Sequence, residues 1–220
     1  MNIFTFLGDI LHLFSILILL LKIYTTKSCK GISLKTQALY MLVFLCRYVD
    51  LFWNFESMYN WVMKVIFIST SSAIVYLMTL HEPIRDTYDR KQDSLFLPFL
   101  LAPTAALSLL TTASYHPAEL LWTFSIWLEA VAIVPQLFVV HAMAKEQNGF
   151  VDALTSDYVF TLGGYRAMYL VNWVYRYFTE SGYSNWISWI AGVVQTVIYC
   201  DFFYYYAIAK FTGQKMSLPI

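Results

Sequence analysis

The sequence predicts an all-α membrane protein with seven transmembrane helices, arranged as two parallel three-helix repeats joined by the fourth span. The first observation is composition: 59% of the 220 residues are hydrophobic and 13% are charged, against about 25% charged in an average soluble domain. The second is continuity, because apolar runs recur along the whole chain. The third is a short motif that occurs in both halves of the chain. One domain over residues 1–220 accounts for all three.

The spans follow from length and hydropathy. Each needs roughly 20 mostly apolar residues to cross the hydrocarbon core. The chain lacks the alternating pattern of a membrane barrel, so helices are expected. The first segment is not a cleavable signal, because Asp9 and His12 interrupt its apolar stretch and no basic region precedes it. The seven predicted spans are 3–22, 36–54, 58–79, 95–112, 118–140, 157–177 and 186–208, with a tail at 209–220.

The basic residues that flank or lie in the connections predict the orientation. They are Lys22, Lys27, Lys30 and Lys35 at the first connection, Arg85, Arg90 and Lys91 in the third, Lys145 in the fifth, and Lys210 and Lys215 in the tail. The second, fourth and sixth connections contain neither Lys nor Arg. Positively charged connections stay on the cytosolic side, so the tail is predicted to be cytosolic and the N-terminus luminal or extracellular.

Several classes of function are disfavoured. The formal net charge is zero, which gives no electrostatic footprint for nucleic-acid binding. Cys29, Cys46 and Cys200 have no metal-ligand spacing and do not make an even set for disulfides. The chain contains no HExxH motif, no paired-aspartate catalytic motif and no convincing Ser/His/Asp set. We therefore expect no enzymatic activity, no metal and no cofactor.

Four cations lie within predicted spans: Arg47, Lys64, Arg166 and Arg176. A charge at the centre of a bilayer costs about 2.5–3.5 kcal/mol on insertion scales, and such residues normally face a bundle interior or a wet cavity. Polar residues accompany the cations at helical spacing. These stripes comprise Thr5, Asp9 and His12; Arg47, Asp50 and Asn54; Glu119, Trp122, Ile126, Glu129, Ile133 and Gln136; Arg166, Tyr169, Trp173 and Arg176; and Val194, Ile198 and Asp201. The spacing favours a cavity lined by charge.

A purely structural explanation of these charges stays open. Arg47 and Asp50 have the spacing of a local helical pair, as do Arg176 and Glu180. Either Asp201 or Glu129 is a candidate to neutralise Arg166. The number of ionisable residues nevertheless exceeds what helix packing needs, since small residues and hydroxyls usually suffice.

The recurring motif is Arg–x–x–x–Leu, found at 47–51 in the second span and at 166–170 in the sixth. Both copies begin about ten residues after a polar stretch, "SLKTQ" and "ALTS". Spans one to three and five to seven are therefore predicted to be parallel repeats with span four as connector, as in the SWEET transporters.

Seven segments carry a resemblance to a known family: "FLGDILHL", "GISLKTQ", "RYVDLF", "LLWTFSIWLEAVAIVPQLF", "YRAMYLVNWVYRY", "QTVIYCDFFYYY" and "KMSLPI". With these the sequence resembles the KDEL receptors, the endoplasmic reticulum retention-signal receptors, over residues 2–220. The Pro135–Gln136 pair also fits the wider PQ-loop family. The resemblance implies a Golgi and endoplasmic reticulum membrane receptor that captures the C-terminal tetrapeptide of escaped luminal proteins in acid. It then implies return through the COPI coat and release at neutral pH.

The resemblance also implies roles for individual residues. Arg47 would take the ligand's C-terminal carboxylate, Arg166 and Arg176 its acidic side chains or its approach, and Glu119 and Trp122 its first residue. Such a ligand has three carboxylates, which suits the three arginines. The expected ligand-binding set is Arg47, Asp50, Asn54, Glu119, Trp122, Tyr165, Arg166, Tyr169, Trp173 and Arg176. His12 is expected to sense pH, Glu129 and Asp201 to couple binding to helix movement, and Lys210 and Lys215 to meet COPI.

Two departures from the family pattern bear on these roles. Thr5 stands where the family usually has an arginine that helps engage the ligand's acids, and the tail carries Lys215 without an adjacent lysine. The competing hypothesis is a small-solute transporter on the same SWEET-like scaffold. Charged walls in three spans favour an acidic peptide over a neutral sugar.

Overall fold

The computed structural model describes residues 2–219, apart from the side chain of Phe52. Within this range the chain forms eight α-helices and two short 3₁₀ helices, with no β-structure beyond one isolated bridge. The α-helices are α1 (Ile3–Thr26), α2 (Leu34–Arg47), α3 (Met58–Thr79), α4 (Pro98–Thr111), α5 (Pro117–Val131), α6 (Val134–Glu146), α7 (Ala153–Thr179) and α8 (Trp186–Thr212). Because α5 and α6 follow each other as one span, the eight helices correspond to the seven predicted spans.

The helices confirm an all-α membrane protein. Four segments are long and apolar enough to cross a membrane: α1, α3, the combined segment Pro117–Glu146, and α8. Of the others, α4 is apolar but only 14 residues long, a length of about 21 Å at 1.5 Å per residue. The predicted span 95–112 is therefore shorter as a helix than expected.

The second span differs most from its prediction. A continuous helix over 36–54 is wrong, because α2 ends at Arg47 and Tyr48 leaves helical geometry with φ −106° and ψ 28°. A 3₁₀ turn, Val49–Phe52, follows. This turn brings Asp50 to Lys64 of α3, with 2.8 Å between Nζ and Oδ2. The local Arg47–Asp50 pair therefore does not form, and Arg47 is free to contact other helices.

The fifth span is interrupted at Ala132 and Ile133, between α5 and α6. Pro135 follows, and proline has no N–H to continue the helical hydrogen bonds. Immediately after the interruption, the buried Gln136 accepts a hydrogen bond from the Ser33 N–H (2.9 Å) and donates one to the Gly31 carbonyl (2.8 Å). The interruption thereby ties the fifth span to the first connection.

The helix contacts follow the predicted two-repeat arrangement. Helix α1 packs along α7, and α2 packs along α5. If spans one to three correspond to spans five to seven, these two contacts are equivalent. The same correspondence relates the α2–α3 contact to α7–α8, and α1–α3 to α5–α8. Helix α4, the connector, packs on α5.

The odd-numbered connections and the tail meet at one end of the bundle, which we call the lysine-rich end. Asp93 accepts hydrogen bonds there from the Ser33 hydroxyl, the Lys35 N–H and the Tyr88 hydroxyl, at 2.9, 3.1 and 2.7 Å. The Asp93 carboxylate thus joins the first connection to the third.

The tail is also part of this end. Helix α8 continues to Thr212, beyond the predicted 208. Met216 and Leu218 are then buried. The Val151 N–H donates to the Met216 carbonyl at 3.0 Å, and the Leu218 N–H donates to the Gly149 carbonyl at 2.9 Å. Residues 216–218 of the tail therefore pack against the fifth connection.

Candidate functional site

A cavity of about 220 Å³ lies among the helices, away from the lysine-rich end. Its walls come from α1, α2, α3, α5, α7 and α8, so both repeats contribute. The polar and aromatic residues of the walls are Asp9, His12, Arg47, Tyr48, Trp122, Glu129, Tyr165, Arg166, Tyr169, Trp173 and Ser188. Phe44, Phe67 and Ile126 supply the apolar part. Six of the ten predicted ligand-binding residues line this cavity, as do two of the three residues predicted to sense pH or couple binding to movement, His12 and Glu129.

The charge centre of this cavity is Glu129 of α5, which is 2% exposed. One carboxylate oxygen lies 2.6 Å from Nη1 of Arg47 and 2.9 Å from Nη2 of Arg166. The other oxygen accepts a hydrogen bond from the Tyr165 hydroxyl. Two guanidinium groups therefore share one carboxylate, and of the two acids considered for Arg166 the structure selects Glu129.

The Arg47 guanidinium has a hydrogen-bond donor that is not used within residues 2–219. Its Nε donates to the Ser125 hydroxyl at 3.1 Å and its Nη1 faces Glu129. Its Nη2 is buried and has no hydrogen-bond partner in the described structure. A buried donor without a partner costs about 1–3 kcal/mol, and more when it is charged. An anion entering the cavity would satisfy this group.

Arg166 is more completely held. Its Nε donates to Gln195 of α8, and its guanidinium lies 5.7 Å from the centre of the Trp173 ring. Gln195 also donates to the Tyr165 hydroxyl at 3.4 Å. These hydrogen bonds therefore link α7 to α8 next to Glu129.

His12 is buried in the same cavity, on α1. Its ring stacks on Tyr165, with 4.1 Å between centroids and 6° between planes. Phe67 and Phe44 lie on other sides, at 4.8 and 5.5 Å between centroids. The histidine therefore contacts the tyrosine that bonds Glu129, so a charge on the imidazole would act directly on the Glu129 centre.

Asp9 marks the opening of the cavity. Its two carboxylate oxygens accept hydrogen bonds from Tyr59 of α3 (2.8 Å) and from Tyr169 of α7. The neighbouring Gly8 makes this possible, because a Cβ there would lie 2.9 Å from the Tyr169 ring. Asp9 thus joins three helices at the end opposite the lysines.

Two further cavities adjoin the central one. The first, which we call the vestibule, has about 500 Å³ and is lined by residues that include Thr5, Asp9 and Arg176. The second, the acidic groove, has about 550 Å³ and is lined by residues that include Asp50 and Glu119, together with Arg47 and Trp122. Asp9 is shared with the vestibule, and Arg47 and Trp122 with the acidic groove, so both spaces lie next to the central cavity.

The remaining predicted residues lie outside the central cavity. Arg176 pairs with Glu180 through two donors, at 2.8–3.0 Å, as its spacing allowed. Asn54 is exposed and donates to Asp50 at 3.3 Å. Asp201 is exposed on α8, apart from the cavity. Lys210 and Lys215 border a different cavity, at the lysine-rich end.

The sequence interpretation did not single out Tyr48 or Gln195, and it placed Asp9 in the polar stripe of the first span without including it in the ligand-binding set. For α8 it selected the wrong helical face, because Val194 is 40% exposed whereas Gln195 is fully buried. The signal available was Gln195 itself, the one amide side chain within the apolar helix α8. Asp201 drew attention through its charge, but it lies at a different angle around the helix axis.

Fold and cavity together define a multi-span membrane protein with a buried cavity in which two arginines share one glutamate. The chain belongs to the ER lumen protein retaining receptor family, whose model matches residues 28–176. It is 53% identical to the ER lumen protein-retaining receptor of Drosophila melanogaster and 51% identical to receptor A of Arabidopsis thaliana. It is 50% identical to receptor 2 of Gallus gallus. Each comparison spans 219 residues and the whole of both chains.

Proposed function

We propose that this protein is a pH-dependent sorting receptor for the C-terminal tetrapeptide, of Lys-Asp-Glu-Leu or His-Asp-Glu-Leu type, of luminal endoplasmic reticulum proteins. It binds them in the Golgi and returns them to the endoplasmic reticulum through the COPI coat. Its N-terminus is luminal and its tail cytosolic. The observation that carries the proposal is the Arg47–Glu129–Arg166 centre, in which two buried cations share one carboxylate.

The ligand's C-terminal carboxylate is assigned to Arg47. The unpartnered Nη2 supports this assignment, because arginine binds carboxylates through two parallel donors. A cavity of about 220 Å³ suits one terminal residue rather than four. The preceding residues then occupy the adjoining spaces. The acidic groove, with Asp50 and Glu119, suits the basic first residue of the tetrapeptide, and Arg176 in the vestibule suits an acidic one.

The test of this assignment is Arg47→Ala, measured as affinity for a Lys-Asp-Glu-Leu peptide at acidic pH. Truncating one partner of a buried charge pair costs roughly 2–5 kcal/mol, so we expect a loss of about 30-fold or more. Amidating the peptide's C-terminus should weaken binding similarly. Arg85→Ala is the matched control, because Arg85 is exposed at the lysine-rich end. Affinities that stay within about twofold after both changes would refute the assignment.

His12 supplies the pH dependence in this proposal. Histidine has an unperturbed pKa of about 6.5, within the range between Golgi and endoplasmic reticulum. The position of His12 against Tyr165 supports coupling to the ligand site. If the complex stabilises the imidazolium, the histidine pKa is higher in the complex than in the free receptor. Affinity is then greatest below the free-receptor pKa and falls as pH rises through the bound-state pKa.

The corresponding experiment compares peptide affinity from about pH 5.4 to 7.4, which brackets the histidine pKa, for the wild type and His12→Ala. We expect the wild type to lose affinity across this range and the variant to have a flat profile. His141→Ala serves as control, because His141 lies on α6, outside the cavity. A His12→Ala receptor that keeps the full wild-type profile would exclude His12 as the sensor.

A further inference from the structure

A mostly apolar groove separates α1 from α3 near the lysine-rich end. It encloses about 510 Å³, and Leu20, Ile23, Leu77 and Ile84 form much of its surface. The groove exists because α1 packs mainly along α7 and makes few contacts with α3. It is separate from the cavities assigned to the peptide.

The outer side of the groove faces the membrane. Leu21 and Tyr24, which line it, are 51% and 71% exposed. Both belong to α1, a helix long and apolar enough to cross the bilayer. Tyrosines of this kind commonly lie at the level of the lipid headgroups. The lining below Tyr24 therefore lies at the depth of acyl chains.

Two cationic or basic side chains, Lys27 and His81, stand at the rim. Lys27 follows the end of α1, and its ammonium lies 4.1 Å from the centre of the Tyr24 ring. Among the described residues, neither side chain pairs with a carboxylate. The nearby Glu82 is engaged by Arg85 at 2.7 Å. In the part of the chain that the structure describes, the Lys27 ammonium therefore contacts an aromatic ring but has no anionic partner.

We propose that this groove binds one anionic glycerophospholipid, with an acyl chain between α1 and α3 and the headgroup on Lys27 and His81. The apolar lining requires a chain, which a free phosphate lacks. Lys27, which faces no carboxylate among the described residues, favours a headgroup of net negative charge over a zwitterionic one. Juxtamembrane cations contribute about 1 kcal/mol each toward anionic lipid. The rim of the groove therefore favours an anionic headgroup, and its apolar lining favours a molecule with an acyl chain.

The experiment uses the purified full-length protein in neutral detergent. Phosphatidylserine and phosphatidylcholine with identical acyl chains are titrated separately, and bound lipid is counted by native mass spectrometry. Glycerophosphoserine, the headgroup without chains, is the third probe. We expect phosphatidylserine to bind about fivefold more tightly than phosphatidylcholine, the factor that about 1 kcal/mol represents. Glycerophosphoserine should neither bind nor displace the phospholipid.

Variants then locate the site. Lys27→Gln should remove most of the fivefold preference, and Leu77→Trp, which fills the groove, should reduce binding of both phospholipids. Lys145→Gln is the matched control, because Lys145 is exposed at the same end but outside the groove. Equal binding of the two lipids by the wild type would overturn the proposal. So would an unchanged preference in Lys27→Gln, or displacement by glycerophosphoserine, which would indicate a phosphate site without a chain.

Discussion

Glu129 is the residue on which the candidate site depends most. Its carboxylate is the shared counter-ion of Arg47 and Arg166, and it is almost sealed from solvent. Removing one member of a buried ionic group typically costs 3–5 kcal/mol, because the remaining charges lose compensation.

We therefore expect Glu129→Gln to lower the thermal unfolding temperature by roughly 10 °C, taking 2–4 °C per kcal/mol for a chain of this size. Thermal unfolding in detergent measures this. Glu180→Gln is the control, because Glu180 pairs with Arg176 at the exposed end of α7, and it should change little. Equal behaviour of the two variants would mean that the Glu129 centre is not structurally important.

Thr5 offers a second prediction at this scale. It lines the vestibule with Asp9 and Arg176, and its hydroxyl donates to Asn2 at 3.1 Å. In the vestibule the cation Arg176 is already paired with Glu180. We expect Thr5→Arg to supply a free cation and to tighten binding of tetrapeptides with acidic middle residues, relative to peptides in which these are Asn and Gln.

Competition binding against both peptide classes measures this change in selectivity. Thr5→Gln provides a matched control of similar size without the charge. A folded Thr5→Arg receptor with an unaltered peptide profile would place Thr5 off the ligand path. An arginine captured by Asp9 would instead weaken binding of both classes alike.

The sequence identified most cavity residues, because charge inside an apolar span is conspicuous. It did not predict which pairs form. Arg47 bonds Glu129 on another helix rather than Asp50, since the chain turns at Tyr48 and carries Asp50 to Lys64. Such choices depend on how each helix is rotated against its neighbours, and spacing along one helix does not determine that rotation.

At the scale of elements, the start of α7 shows how the lysine-rich end is stabilised. Asp152 caps the helix by accepting from the Thr155 N–H at 3.1 Å, and it lies 3.4 Å from Nζ of the buried Lys22 on α1. Burial alone would raise the pKa of the Asp152 carboxyl. Lys22 and Thr155 outweigh it, so this pKa lies below its ordinary value.

A carboxyl group whose pKa is lower in the folded than in the unfolded protein stabilises the fold at pH values above the ordinary aspartate pKa of about 3.9. This stabilisation is lost as the pH falls through the pKa of the folded state. We expect Asp152→Ala to reduce stability at neutral pH by about 1–2 kcal/mol, the usual range for a lost cap. The difference from wild type should shrink below about pH 4. Thermal unfolding across pH measures this, with Asp86→Ala, an exposed aspartate of the third connection, as control. A deficit independent of pH would show that the carboxylate charge is not involved.

The sequence predicted these elements unevenly. Long apolar helices such as α1, α3 and α8 were recognisable from hydropathy alone. The end of α2 and the interruption before Pro135 were not recognisable in this way, because the mean hydropathy of the chain does not change clearly across either irregularity. Pro135 contributes to the second irregularity because it lacks an N–H, and a tertiary contact accompanies each one, from Asp50 to Lys64 and from Gln136 to Ser33.

At the scale of the whole molecule, basic residues gather at one end and the cavity opens toward the other. The repeated Arg–x–x–x–Leu motif acquires a physical meaning, because Arg47 and Arg166 come from corresponding helices of the two halves and reach the same glutamate. The repeated motif was enough to predict that the two halves of the chain correspond. That both arginines pair with Glu129 became visible only in the folded structure.

The proposed orientation makes a direct prediction. In sealed microsomes, an impermeant maleimide should label Lys145→Cys from outside and should reach Ser181→Cys only after the membrane is permeabilised. Both positions are exposed, at opposite ends of the bundle. Cys200 is exposed and is first replaced by serine, whereas Cys29 and Cys46 are buried. The reverse labelling pattern would invert the orientation.

The packed tail has a practical consequence for anyone handling this protein. Met216 and Leu218 are buried, and the Asn2 side chain donates to Asn172 of α7 at 2.5 Å. An affinity tag or fluorescent protein fused next to these residues would therefore disturb side chains that are packed in the folded bundle. Trafficking or binding measured with such fusions would report partly on the attachment. A small dye on Lys145→Cys leaves both ends as they are.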